Sequence, residues 1–159
     1  MKRKSANREP IFYKRKEAPI RLLWYRSQVR QILPITYHPE IEIHLIRSGS
    51  VLYTVHDQKH LLTPDSLLVI YPNEVHTFIA EKPDELVNKI TFIFPPGLAG
   101  LPLSGRMAGY RDVRHLRLMS TEASAMARIA SDIQGELDRQ PIEWATLCRL
   151  RLQELIVMM

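Results

Sequence analysis

The chain has 159 residues, 45% apolar and 25% charged. That is the balance of an ordinary soluble globular protein, long enough for one domain with an appendage and a real core. No apolar run approaches the ~18 residues of a membrane span, and polar residues follow the basic Met1-Lys2-Arg3-Lys4 where a signal peptide would need its apolar segment. Cys148 is the only cysteine, which excludes an intrachain disulfide and fits a cytoplasmic protein.

The net charge of +5 is concentrated at one end: residues 1–30 carry ten lysines and arginines against Glu9 and Glu17 alone. This stretch reads as a basic arm, either solvated or able to touch nucleic acid by releasing counterions. Residues 31–94 are rich in Ile, Val, Leu, Tyr and Thr, and strands are expected at Ile41–Ile46, Val51–His56, Leu67–Ile70, His76–Ala80 and Val87–Phe94. Turns are expected at Asp57-Gln58-Lys59, Pro72-Asn73-Glu74 and Pro83-Asp84-Glu85. Short strands so closely spaced, with no helical period among them, predict an antiparallel sandwich or barrel.

Residues 95–113 open with Pro95-Pro96-Gly97 and hold four of the six glycines. They lack the Gly-Lys-Ser/Thr ending of a phosphate loop and read as a connector. Two helices follow in residues 114–159. In the first, Met126, Ile129, Ala130, Ile133 and Leu137 recur at helical spacing, with Ser120 or Thr121 as N-cap. Gln140-Pro141 separates it from the second, where Pro141 suits the first helical position. There Trp144, Leu147, Cys148, Leu152, Leu155, Ile156 and Met159 share a broad apolar face, while Leu150 and Val157 fall outside it. A face that wide implies a second packing partner, and another copy of the chain is the simplest one. Leu147, Leu152, Leu155 and Ile156 are the expected dimer contacts.

The polar residues with chemical potential lie among the strands. His38, Glu42 and His76 have the residue types of a facial triad for iron, manganese or zinc, and 38 and 42 share strand parity. Yet Ile41, Ile43 and Leu45 alternate with Glu40, Glu42 and His44, so a plain reading buries the isoleucines and leaves the carboxylates in solvent. Ser48, Ser50 and Ser66 have no paired base, and no catalytic residue is predicted. His56, His60 and His115 read as surface residues.

The stretch Thr36-Tyr37-His38-Pro39-Glu40-Ile41-Glu42, followed after six residues by Gly49, resembles the first motif of the cupins, His-x-His-x3-Glu-x6-Gly. Pro72 and His76 echo the second. Thr36 stands where the first histidine would be, Asp65 stands about where the second motif has glycine, and the turn from Pro72 to His76 is one residue short. That shortened form, with the order of arm (1–30), cupin strands and connector (31–113) and helical dimerisation segment (114–159), resembles the N-terminal sensor of AraC-type transcription regulators. The resemblance implies a cupin-type antiparallel, jelly-roll-like barrel with a C-terminal helical pair, in a register where the polar side of Glu40, Glu42 and His44 lines the lumen and the apolar side is covered by the arm or helices. Its polar lumen would bind a small effector, a sugar among the options, through Thr36, His38, Glu42, Tyr53 and His76, with Trp24 closing the pocket. It also implies a homodimer, control of transcription, and DNA binding by a helix-turn-helix after residue 159. The Met158-Met159 ending within an apolar helix then reads as a truncation. No cofactor, bound metal or membrane partner is expected. The rivals are a metal-dependent cupin enzyme, a dioxygenase or isomerase, and a stand-alone dimeric binding module. A downstream helix-turn-helix would separate the regulator from both.

Overall fold

The computed structural model describes residues 19–28, 35–82, 84–99 and 115–159. Residues 1–18 of the basic arm and residues 100–114 of the connector lie outside them. Eight strands are described: β1 (Arg21–Gln28), β2 (Ile41–Ser48), β3 (Val51–Val55), β4 (Gln58–Leu62), β5 (Ser66–Ile70), β6 (His76–Ala80), β7 (Leu86–Phe94) and β8 (His115–Arg117). A 3-10 turn, Pro96–Ala99, follows β7, and helices α1 (Ser120–Arg139) and α2 (Trp144–Val157) close the chain. The strands form a five-stranded sheet, β1-β7-β2-β5-β8, and a three-stranded sheet, β4-β3-β6, with antiparallel pairing throughout. This is the expected architecture: antiparallel β-structure followed by a helical pair.

Three strands escaped the sequence reading. β1 lies within the stretch read as a basic arm, and its whole length pairs with β7, from Arg21 opposite Ile93 to Gln28 opposite Leu86. The turn expected at Asp57-Gln58-Lys59 is displaced to His56-Asp57, and Gln58 already pairs with Val55 as the first residue of β4. β8 is three residues long, too short for a hydrophobic period.

The period-2 alternation of β2 has a different meaning from the one its polarity suggested. All residues from Ile41 to Ile46 are buried. Ile41, Ile43 and Leu45 join Leu22, Leu67, Val69, Ile90, Phe92 and Phe94 on one face of the larger sheet. That face packs against Met126, Ile129, Ala130 and Ile133 of α1 and Cys148, Leu152 and Leu155 of α2. Glu42 and His44 project from the opposite face, towards the smaller sheet. There Ile46, Leu68, Ile70 and Val87 meet Val51, Tyr53, Val55 and Leu62. The plain reading that leaves Glu42 in solvent therefore fails, and the register implied by the resemblance, with the polar side inward, holds, because the second sheet covers it.

Local backbone chemistry marks the corners. Asp65 and Asn73 adopt left-handed φ of 65° in the turns before β5 and β6, a region that Asp and Asn tolerate better than other side chains. This accounts for Asp65 standing where glycine is usual. Gly49, between β2 and β3, has φ 76°, and a Cβ there would lie 2.8 Å from the Leu86 carbonyl oxygen and 3.0 Å from the Val87 Cα. Both neighbours are backbone and cannot move aside cheaply. Gly49→Ala is expected to cost about 2–3 kcal/mol in urea denaturation, and an unchanged midpoint would rule out that close approach.

The helix ends also differ from expectation. Neither Ser120 nor Thr121 caps α1; Met119 precedes it, its N–H donating to the Glu122 carboxylate at 2.7 Å. Ser120 instead donates to Asp65 at 2.8 Å, tying the helix start to the corner before β5. Pro141 lies before α2, and its carbonyl accepts from Trp144 N–H at 3.0 Å.

Candidate functional site

The polar positions of β2, β3, β6 and β7 converge between the sheets. Glu42 is the hub: its Oε1 lies 3.1 Å from His38 Nε2, its Oε2 2.8 Å from His44 Nε2 and 3.6 Å from His76 Nε2. Burial acts to raise the Glu42 pKa, but the imidazoles of His38 and His44 outweigh it and hold the carboxyl well below its ordinary range. His38 is raised by Glu42. His44 is pushed down to about 4 by burial, against the pull of Glu42, so it is neutral at pH 7.

Hydrogen bonds define the rest of the constellation. His76 Nδ1 lies 2.9 Å from the Glu74 carbonyl; a carbonyl can only accept, so Nδ1 carries the proton in the neutral ring. Nε2 is then free to accept from the Thr36 hydroxyl 3.0 Å away. His44 Nδ1 lies 3.0 Å from Thr91 Oγ1 and 3.1 Å from Tyr53 Oη. Tyr53 also accepts from Lys89 Nζ at 2.6 Å. A polar chain thus runs from Lys89 through Tyr53, His44 and Glu42 to His38 and His76.

Five of the six expected ligand-lining residues meet here: Thr36, His38, Glu42, Tyr53 and His76. Trp24 does not join them. It shares parity with Leu22, whose side chain packs with the helix-facing core, and it is 46% exposed. Tyr25, the next residue on β1, packs against Phe78 and the inter-sheet core instead. The residues that sequence reasoning missed are His44, Lys89 and Thr91. A lysine at an alternate position in the apolar run from Val87 to Phe94 was the available signal. Of the three histidines read as surface residues, His56 and His115 are exposed; His60 is half-buried, its ring edge-on to that of His115 at 6.0 Å.

One ligand atom each from His38, Glu42 and His76 lie within 4.8 Å of one another. With Nδ1 of His76 held by a carbonyl, its Nε2 is turned to the cluster as a metal ligand would be. The arrangement also suits an organic molecule. Both ring nitrogens of His38 and Nε2 of His44 are buried and face carboxylate oxygens, Glu40 3.3 Å from His38 Nδ1 and Glu42 3.1 Å and 2.8 Å from the two Nε2 atoms, partners that a bound molecule could share.

The AraC-like ligand binding domain family model matches residues 29–155. The chain belongs to this family. No curated protein sequence matches it. Among solved structures, an apo ToxT variant from Vibrio cholerae aligns with TM-score 0.61 at 10% identity, covering 88% of this chain and 55% of that one. A cupin 2 domain-containing protein from Halorhodospira halophila aligns with TM-score 0.46 at 14% identity, over 51% of this chain and 56% of that one. A cupin protein from Bacteroides fragilis aligns with TM-score 0.46 at 20% identity, over 50% and 69%. At such identities the likeness to ToxT is one of fold, and this AraC-like ligand binding domain spans little more than half of the ToxT and Halorhodospira chains. Among the described residues, no helix is long and apolar enough to cross a membrane.

Proposed function

We propose that this AraC-like ligand binding domain senses a small polar molecule held between its two sheets and conveys occupancy to a transcription regulator. The observation that carries this reading is the convergence of Thr36, His38, Glu42, Tyr53 and His76, donors and acceptors together, between the sheets. A sugar fits the mixture of donors and acceptors supplied by Thr36, His38, Glu42, Tyr53 and His76, and other polyhydroxylated molecules fit equally. Coupling requires the effector to bind one arrangement of the protein better than another. The arrangement suited to such coupling is a homodimer, with DNA read by a separate helix-turn-helix module.

The dimer surface differs in detail from the sequence expectation. Cys148, Leu152 and Leu155 are fully buried in this chain's own core. Leu147, Leu150 and Val157 lie outward on α2, at 37%, 53% and 71% exposure. They fall at spacings of three and seven residues, which keeps them on one helix face, and this stripe is the surface we assign to a second copy. Of the expected contacts Leu147 stays outward, Leu152 and Leu155 are buried, and Ile156 is half-buried against the same core, so Leu150 and Val157 take their place in this assignment.

A second reading is favoured by one observation, the juxtaposition of His38, Glu42 and His76: a divalent metal bound there would make the domain a metal-dependent cupin, with Thr36 in the place of a fourth ligand. Titration calorimetry with a panel of sugars and other polyols, joined to elemental analysis, separates the two. The regulator reading expects a saturable ligand, an affinity loss of about 10–100-fold in Glu42→Gln, and well under one metal per chain. A full equivalent of iron, manganese or zinc that disappears in His38→Ala would replace it by the metal reading.

A further inference from the structure

Lys89 is 4% exposed, and no carboxylate among the described residues pairs with it directly. Its Nζ instead sits 3.5 Å from the centroid of the Phe78 ring, 5.1 Å and 5.3 Å from those of Tyr53 and Tyr25, and 2.6 Å from the Tyr53 hydroxyl. β1 and β6 are both edge strands, one of each sheet. Tyr25 on β1 and Phe78 on β6 meet edge to face at 6.3 Å across the slot between the sheets. Lys89 lies behind that pair, at the inner end of the polar chain leading to Glu42. An amine so placed is poorly suited to being a charged surface group or a salt-bridge partner. Three rings can hold it as an ammonium, but with no paired carboxylate among the described residues it is available as a nucleophile whenever it is neutral.

We propose that Lys89 captures the carbonyl carbon of a small aldehyde, one with a flat apolar body, as an imine inside the barrel. The proposal rests on the reading that the inter-sheet space holds the effector, and favours a carbonyl compound there over the polyols considered above. Burial lowers the lysine pKa to about 7, which leaves a substantial neutral fraction at physiological pH, the form that attacks carbonyls. The Nζ lone pair forms the new C–N bond as the carbonyl π pair moves to oxygen, which takes up a proton while nitrogen gives one up. The resulting carbinolamine expels its hydroxyl, protonated to water, as the nitrogen lone pair closes the C=N bond, and the iminium so formed gives up its remaining N–H proton, restoring the one spent on the hydroxyl. Amine and aldehyde thus become imine and water, with no change in oxidation state. Tyr53 Oη, 2.6 Å from Nζ and 3.1 Å from His44 Nδ1, is placed to relay these protons. Phe78 and Tyr53, stacked with centroids 5.0 Å apart and planes 24° from parallel, make the neighbourhood of Nζ aromatic, chemistry that matches a flat apolar body.

The test uses benzaldehyde with cyanoborohydride, which reduces an imine to a stable secondary amine, followed by intact mass and peptide mapping of the full chain at pH 7. Lys89 is expected to be benzylated at least about 100-fold faster than the exposed Lys59 and Lys82, because an ordinary lysine is neutral only about once in 10³ at that pH. Lys89→Met should remove the fast phase, and Tyr53→Phe should slow it about tenfold or more while leaving Lys59 labelling unchanged. Labelling of Lys89 no faster than of Lys59 in a folded protein would overturn the proposal. Polyol titration of the same preparation separates the two ideas. A saturable polyol ligand with no fast Lys89 label sinks the imine and leaves the effector site standing. Fast labelling abolished by Lys89→Met upholds the imine even where no polyol binds.

Discussion

Truncating Leu155 or Leu152 to alanine is expected to destabilise the whole domain by about 2–5 kcal/mol, rather than to dissociate a dimer. Both side chains are fully buried in the cluster that joins the two helices to the Ile41, Ile43 and Leu45 face of the larger sheet. Removing their methyl groups would leave a cavity between layers whose backbone on both sides is already committed to hydrogen bonding, so collapse is restricted. The loss should appear as a lower urea midpoint with an unchanged slope. Leu150→Asp, by contrast, changes a half-exposed position, so it should leave the midpoint nearly where it was and shift sedimentation from dimer to monomer. A charge placed in an apolar contact with a second copy weakens it by about 2 kcal/mol or more, equivalent to ~30-fold in affinity. A wild-type chain that stays monomeric at high micromolar concentration would remove α2 as an interface. An undisturbed midpoint in Leu155→Ala would contradict the packing itself.

Lys89→Met is expected to stabilise the fold at pH 7 by about 2–4 kcal/mol. The sign follows from the direction of the shift. Lysine has an ordinary value of 10.5, and burial brings Lys89 down to about 7. Between those values the unfolded chain binds a proton that the folded chain refuses, so the lysine's penalty grows as pH falls from about 10.5 and is nearly complete near 7. Methionine has similar reach and no charge to desolvate. It gives up the bond from Nζ to Tyr53, but Tyr53 keeps His44 as a neighbour. The advantage of the variant should therefore shrink by roughly 1.4 kcal/mol for each pH unit between about 7 and 10. Urea denaturation of both proteins at pH 7 and pH 9 measures this. A variant less stable than the parent at pH 7 would show that the ammonium is satisfied in place, by the rings of Phe78 and Tyr25 and by Tyr53, and would remove the basis for a nucleophilic amine.

The two predictions share a cause. Each concerns a residue whose meaning depends on what the other layer of the molecule places over it. Leu150 and Leu155 are the same residue type five positions apart; helical spacing puts them on different faces but does not say which face is core and which is left for a partner. Lys89 is one lysine among many, and only its parity with Val87 and Thr91 in an apolar strand distinguishes it.

Period, turn chemistry and motif spacing determined the class of fold by themselves. Alternation within Ile41–Ile46, the apolar run ending at Phe94, the Pro72-Asn73 corner and the helical spacing from Met126 to Ile133 are local consequences of side-chain geometry. So is the separation of His38, Glu42 and Gly49 that carries the resemblance to the sensor domains. What the tertiary structure alone decided is which side of each element is covered. β2 is apolar on one face and polar on the other, and sequence periodicity cannot tell a sheet with one wet face from a sheet covered on both. Here the helices take the apolar face and the smaller sheet takes the polar one, so Glu42 and His44 are buried together with Lys89, 45 residues further along from His44. The same covering turned Trp24 away and brought Tyr25 inward, because successive side chains on a strand point to opposite faces and only the pairing of β1 with β7 sets which face is which.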